Sequence, residues 1–230
     1  MNVSLMRADR AEATPVSEFH ARLDKILPLV EERAAQAEQQ GYLTDDVVAA
    51  LRNSGIYTML FPKEVGGPEL SPFDAMTVVE RLSYAHASTG WCTQVTNLEG
   101  TTMAIYIDQK GVEKIFGNGP DIPVAGNGVP RGFARPVDGG YMVKGTWSYG
   151  SGIHHASWIH SGCFITDGDK LKLDRFGKPE MVLVHHPKNQ VELKGNWDVL
   201  GLRGTGSYDY TTGDKELFVP ADMCWMSDAR

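Results

Sequence analysis

Cysteine is scarce in this chain: Cys92, Cys163 and Cys224 are the only three in 230 residues. They lie far apart, show no paired spacing of the zinc type, and their odd number cannot close a disulfide framework, so the sequence points to a reducing, cytoplasmic setting. A basic run is missing too. Lys and Arg total 22 against 29 Asp and Glu, a net charge of −7 spread along the chain. Attraction to a polyanion is therefore not the main activity, and nucleic acid and anionic membrane surfaces leave the list of partners. No uninterrupted apolar stretch approaches the roughly 20 residues of a membrane span, and the first thirty residues mix acidic and basic groups where a targeting segment would carry a basic cap and an apolar block. Repeats and low-complexity tracts are absent. What remains is an ordinary globular composition, 42% apolar, long enough for one large domain or two small ones.

The first half reads as helices. In "TPVSEFHARLDKILPLVEERAAQAEQQG", Thr14 is the candidate N-cap and Gly41 the stop, with Phe19, Leu23, Ile26, Leu27, Val30 and Ala34 at helical spacing. Pro28 sits inside and is expected to kink or split the helix. A second helix is predicted from Thr44 to Gly55, with two aspartates in its first turn. "SPFDAMTVVERLSYA" begins with Ser71 as cap, Pro72 at the first position and Asp74 three residues after the cap. "STGWCTQVTNLEGTTMAIYI" is apolar and nearly uncharged, as a helix buried between neighbours is, and "DQKGVEKIFG" closes the half as a short polar helix. Then the grammar turns to β: "GGYMVKGTWSYG" alternates after a glycine turn, "ASWIHSGCFIT" does so more loosely, and "EMVLVHH" and "KELFVP" are short apolar runs. The expected organisation is α+β: an all-helical domain over residues 1–119, then a small β-barrel-like domain over 120–230.

Several chemistries drop out. A serine nucleophile elbow needs Gly-x-Ser-x-Gly between strand and helix, and Gly150-Ser151-Gly152 is one residue too tight on each side. His154 and His155 are adjacent, so on a strand they face opposite ways, as do His185 and His186, and no metal site is expected. "GNGVPRG" and "GLRGTGS" fit neither the dinucleotide fingerprint nor the P-loop and read, taken alone, as β turns. Glu31-Glu32 and Asp45-Asp46 read as helix-surface charges. What is left is a concentration of aromatic, hydroxyl and amide groups: Trp91, Asn97, Asn127, Trp147, Ser148, Tyr149, Ser151 and Trp158. Flat apolar walls with a few hydrogen-bonding groups suit a planar heteroaromatic ring, although the same residues also suit the core and turns of a β unit.

The order helical half, "IPVAGNGVPRGFARPVDGGYMVKGTWSYGSGIHHASW", then "GLRGTGSYDYTTGDKELFVP" resembles the acyl-CoA dehydrogenase fold. Within it the chain is similar to the two-component flavin-dependent monooxygenases, which hydroxylate aromatic or heterocyclic substrates with reduced flavin supplied by a separate reductase. The resemblance spans nearly the whole chain and rests on G-x-W-x-x-x-SG followed by a Trp, together with "GLRGTGS" followed by "VP". It implies reduced FMN or FAD as cofactor, O2 and a small indole-like or phenolic substrate, a C4a-hydroperoxide as oxidant, and a flavin reductase as partner. It also implies that Ala125, Gly126 and Asn127 on one segment, and Ser148, Tyr149 and Ser151 on another, meet the flavin, with Trp91 packed beside the ring. Ser151, Asn127 and Asn97 are then the expected catalytic positions, Arg203 is left to its turn, and a homotetramer is the family's assembly.

The family continues with a helical bundle that is missing from these 230 residues. The same resemblance therefore predicts apolar surface along Trp91 to Ile107 and a partner chain to cover it. An acyl-CoA dehydrogenase or related flavin oxidase, and a non-catalytic partner-binding fragment, stay as the alternative readings. The first flavin segment lacks the Thr-Glu-Pro-Gly run of the dehydrogenases.

Overall fold

The amino-terminal half is helical where apolar residues recur every three or four positions. The computed structural model describes residues 15–226, so the Thr14 cap lies outside the described residues. Helix α1 (Pro15–Gln40) runs through Pro28 as one helix. The predicted split does not occur: Phe19, Leu23, Ile26, Val30 and Ala37 bury one continuous stripe on both sides of Pro28, and burial of about 1.5–3 kcal/mol for each large side chain offsets a penalty of about 3 kcal/mol for the proline.

Helix α2 (Asp45–Asn53) follows, without a side-chain cap from Thr44. Helix α3 (Pro72–Ala85) starts as its sequence says, with Ser71 accepting the Asp74 N–H and donating its own proton to the Asp74 carboxylate. Helices α4 (Ala87–Tyr106) and α5 (Gln109–Phe116) complete the layer. α4 is not buried all round. Cys92, Thr93, Asn97, Gly100 and Met103 face inward, whereas Trp91, Leu98 and Ile105 form an exposed stripe seven residues apart.

The second half is a mixed sheet of β1 (Val124–Val137), β2 (Gly140–Gly150), β3 (Trp158–Asp167), β4 (Lys170–Leu171), β5 (Met181–Pro187), β6 (Glu192–Leu193), β7 (Tyr208–Thr211), β8 (Leu217–Pro220) and β9 (Cys224–Met226). Its order is β6-β7-β2-β1-β3-β5-β9, with β4 beside β3 and β8 beside β2. The path is open and not closed into a barrel. β1 and β3 pair in parallel and the other pairs are antiparallel.

"GNGVPRG" belongs to β1, which corrects the expectation of turns. The β1–β3 register shifts between Asn127 and Gly132, and a bulge there tolerates Pro130, which has no N–H to give to a ladder.

Two clusters hold the layers. One lies within the helices, among Phe19, Leu23, Val47, Leu51, Ile56 and Leu82. The other joins Phe61, Met103 and Phe116 to Val124, Val143, Trp147, Ile159 and Tyr210 of the sheet. Trp147 is fully buried there, stacked 5.3 Å from Tyr210, with its indole N–H donated to the Gly162 carbonyl at 2.6 Å. It belongs to this core and not to a pocket wall. Its ring lies where Gly132 and Gly145 carry no side chain; a Cβ on Gly132 would come within 2.3 Å of it.

Candidate functional site

Helix α4 packs against the sheet, chiefly on β1, and a slot-like seam between them passes from Trp91, bonded to Ser151, to Glu99, beside His160. At the Trp91 end the indole is 44% exposed, yet its N–H is donated to Ser151 Oγ at 2.9 Å. Ser151 is buried in the turn after β2 and bonds Ser207 Oγ at 2.7 Å; Ser207 in turn bonds Thr205 Oγ1 at 2.7 Å, and Thr205 donates to the Leu202 carbonyl at 2.8 Å. Because an indole nitrogen only donates and a carbonyl only accepts, the chain runs one way. Thr205 gives its proton to Leu202, Ser207 to Thr205, and Ser151 to Ser207. Ser151 therefore sits between the helical and strand layers with its proton turned inward and a lone pair on Trp91.

Beside it, Tyr149 has φ +65, a left-handed conformation uncommon outside glycine. Its ring is 59% exposed and meets Trp197 edge-on at 6.0 Å. Asn127 joins β1 to β2: its amide donates to the Ser148 carbonyl at 2.8 Å and its carbonyl accepts from the Val129 N–H at 2.9 Å. Its own backbone N–H is donated to the Tyr210 hydroxyl at 3.1 Å. Ala125 is buried, and Gly126 has φ +144 where a Cβ would strike the backbone of His160.

Trp91, Ser148, Tyr149 and Ser151 thus lie on connected elements at one end of the slot, with Asn127 tied to Ser148, while Ala125 and Gly126 run along β1 beside Ile159 and His160. Asn97 does not join them. It is fully buried on the opposite side of α4, donating to the Ile56 and Thr93 carbonyls at 2.9 Å each and accepting from the Leu60 N–H at 3.1 Å. Both its protons are spent on the helical layer, which removes it from the expected set of reacting groups.

Two carboxylates, Glu38 and Glu99, were not singled out from sequence. Glu38 of α1 accepts from His86 Nε2, from Ser88, and from the Gly204 and Arg203 backbone N–H groups. It clasps "GLRGTGS" to the helices. Burial pushes its carboxyl up, but these donors outweigh that and hold it below the usual range. Arg203 is structural, bonded to Asp198 and to the Glu38 carbonyl.

Glu99, the single charged residue of α4, lies at the other end of the slot with Oε2 3.2 Å from His160 Nδ1 of β3. Burial raises its carboxyl to about 7, and burial first, then His185 and His186, keeps His160 neutral. A lone acid in an otherwise uncharged helix was the available signal for it. Among the described residues no three His, Cys, Asp or Glu side chains gather as a metal site. His154 and His155 are structural, the first stacked 3.7 Å from Tyr42 and the second bonded to the Leu43 carbonyl.

Comparison with known proteins agrees with this architecture. Residues 24–113 match the acyl-CoA dehydrogenase N-terminal domain. The chain is 34% identical over 201 residues to the flavin-dependent monooxygenase oxygenase subunit HsaA of Mycobacterium tuberculosis, covering 87% of this chain and 48% of that protein. It is 33% identical to the indole-3-acetate monooxygenase of Pseudomonas putida over 196 residues, 85% of this chain and 48% of the relative. The crystal structure of the M. tuberculosis HsaA monooxygenase superposes with a TM-score of 0.82 at 31% identity, over 92% of this chain and 53% of that one. XiaF from Streptomyces sp., in complex with FADH2 and glycerol, gives 0.82 at 25% identity, over 92% and 51%. The chain spans about half the length of the curated relatives it matches. Fold and sequence thus agree that this chain has the acyl-CoA dehydrogenase-like fold and resembles, within that superfamily, the oxygenase components of two-component flavin-dependent monooxygenases.

Proposed function

We propose that residues 1–230 are the helical and sheet portion of an oxygenase component that hydroxylates a small aromatic or heterocyclic substrate, using reduced FMN or FAD delivered by a flavin reductase. The observation that carries this reading is the Trp91 end of the slot. An exposed indole is fixed by a neutral hydroxyl chain, Ser151–Ser207–Thr205, beside a strained, exposed Tyr149. Flat walls and uncharged hydrogen-bonding groups suit an isoalloxazine ring. When bound, reduced flavin supplies the two electrons with which dioxygen gives one oxygen atom to the substrate and the other to water.

The chain's own residues hold and shelter that chemistry. Trp91 and Tyr149 wall the ring, Ala125 and Gly126 present backbone, and Asn127 with Ser148 locks β1 to β2 alongside it. Ser151 fixes the indole and keeps a neutral oxygen at the ring edge. Asn97 acts from behind, holding α4 to the loop at Ile56. The domain division at residue 119/120 belongs to the same reading, helices ending at Phe116 and strands beginning at Val124. So do a homo-oligomeric assembly and a cytoplasmic location. Among the described residues no helix is long and apolar enough to cross a membrane.

The test is anaerobic binding of reduced FMN and reduced FAD to the full-length protein, followed by reductase-driven oxygen uptake with an indole or phenol present. Tight binding of reduced flavin and oxygen incorporated into product support the reading. Bleaching of oxidised flavin by an acyl-CoA would replace it with a dehydrogenase, and absence of flavin binding would leave a partner-binding role.

A further inference from the structure

We propose that Glu38 is a positioning residue for the Trp91 wall: this one carboxylate, on α1 and outside the slot, fixes both partners of the Trp91–Ser151 hydrogen bond. Its role rests on the reading given above, in which Trp91 walls the ring site, and it names what holds that wall in place.

Four donors converge on Glu38. Oε1 accepts from His86 Nε2 at 2.9 Å, from Ser88 Oγ and from the Gly204 N–H at 3.0 Å, and Oε2 accepts from the Arg203 N–H at 3.0 Å. Two of these donors stand at the start of α4 and two open the turn 203–207. A carboxylate has acceptor sites for all four and no proton to obstruct them. The junction is tight: a Cβ on Gly204 would come within 2.9 Å of Glu38 Oε1, 3.1 Å of Ser88 Cβ and 3.2 Å of His86 Cε1. A glycine here lets the turn reach the helix.

From both pairs of donors the contacts lead to the same bond. Ser88 stands about one helical turn before Trp91 on α4, so holding Ser88 sets where the indole lies. On the other side, the Thr205 carbonyl accepts the Gly152 N–H at 2.8 Å, and the Thr205 hydroxyl bonds Ser207 Oγ, which bonds Ser151 Oγ, both at 2.7 Å. Ser151 is thereby held at its side chain and at the next amide, and it takes the Trp91 N–H at 2.9 Å. The contacts close a ring through Glu38, Ser88, Trp91, Ser151, Ser207, Thr205 and Gly204. Closure matters because Trp91 is 44% exposed, and one neutral hydrogen bond immobilises an exposed indole only when both of its partners are themselves fixed.

Glu38→Gln keeps the size of the side chain and one oxygen, but turns an amide NH2 on the remaining donors. The full-length protein with isotopically labelled tryptophan, free of flavin, gives the solvent-exchange rate of each indole proton by NMR, with Trp91→Phe to assign the Trp91 signal. In Glu38→Gln, and in Gly204→Ala, which drives a methyl against the carboxylate, the Trp91 indole proton is expected to exchange at least about tenfold faster. The Trp147 proton, buried in the other cluster and donated to the Gly162 carbonyl, should keep its rate. Reduced-flavin affinity then completes a double-mutant cycle. Glu38→Gln should weaken it about tenfold in the wild-type background and leave it unaltered in Ser151→Ala, because both substitutions release the same indole. An unchanged Trp91 rate in both variants, equal acceleration at Trp91 and Trp147, or effects of Glu38→Gln and Ser151→Ala that multiply overturns the proposal. The exchange rates are read without flavin, so a wild-type protein that binds no reduced flavin counts against the functional reading and not against the hold of Glu38 on Trp91.

Discussion

Ser151 and Glu99 pull the slot in different directions, one through its proton and the other through its charge. Ser151 is committed as donor to Ser207 and as acceptor to Trp91. Ser151→Ala leaves the Trp91 N–H without its partner and lets the indole rotate. The fold is expected to survive, since one hydrogen bond contributes only about 1 kcal/mol, while a larger share of the oxygen consumed appears as hydrogen peroxide instead of product. Unchanged coupling of oxygen use to product would count against the residue's role. Glu99 makes the opposite trade. Its folded value near 7 lies above that of an exposed glutamate, so the folded state binds more protons than the unfolded one, and stability falls as pH rises between those two values. Glu99→Gln should therefore be the more stable protein at about pH 8, by on the order of 2 kcal/mol, with the gap closing towards about pH 4.5. A thermal melt series over that range reads it directly.

At the scale of elements, the turn 201–207 is the hinge point of the design. It brings Thr205 and Ser207 to Ser151, and Glu38 of α1 holds it there through the Arg203 and Gly204 N–H groups. Glu38→Ala strands those donors and is expected to lower stability by about 2 kcal/mol. Because the folded carboxyl sits below its unfolded value, the wild-type contribution is present above the unfolded value and lost as pH falls through the folded one. Acid unfolding should thus be shallower in Glu38→Gln. The β1–β2 pair makes a second element-level case. Gly132 and Gly145 clear the space that Trp147 fills, so Gly132→Val should force the indole out of the core and cost about 3 kcal/mol or more, seen as a lowered denaturant midpoint with tryptophan fluorescence shifted to the red.

Across the whole molecule, the exposed stripe Trp91, Leu98 and Ile105 runs the length of α4, on the helix that also walls the slot. Contiguous apolar surface of this kind marks an interface. Residues 1–230 expressed by themselves are expected to bind an apolar dye and to self-associate, and Leu98→Asp with Ile105→Asp should suppress both without changing the far-ultraviolet circular dichroism. The helical periods of α1 to α5, the Ser71 cap and the alternation in β2 and β3 are local, and their residues alone determined them. The concentration of aromatics and hydroxyls was visible in the sequence too, but the contact between Trp91 and Ser151, which are 60 residues apart, was made by the fold. Whether β1 ran through its prolines, whether Trp147 was wall or core, which way the Ser151 proton pointed, and that Asn97 faced away while Glu99 faced in were decided by tertiary packing alone. Those outcomes depend on which donors and acceptors distant segments bring within about 3 Å of one another, and periodicity along a chain carries no record of that distance.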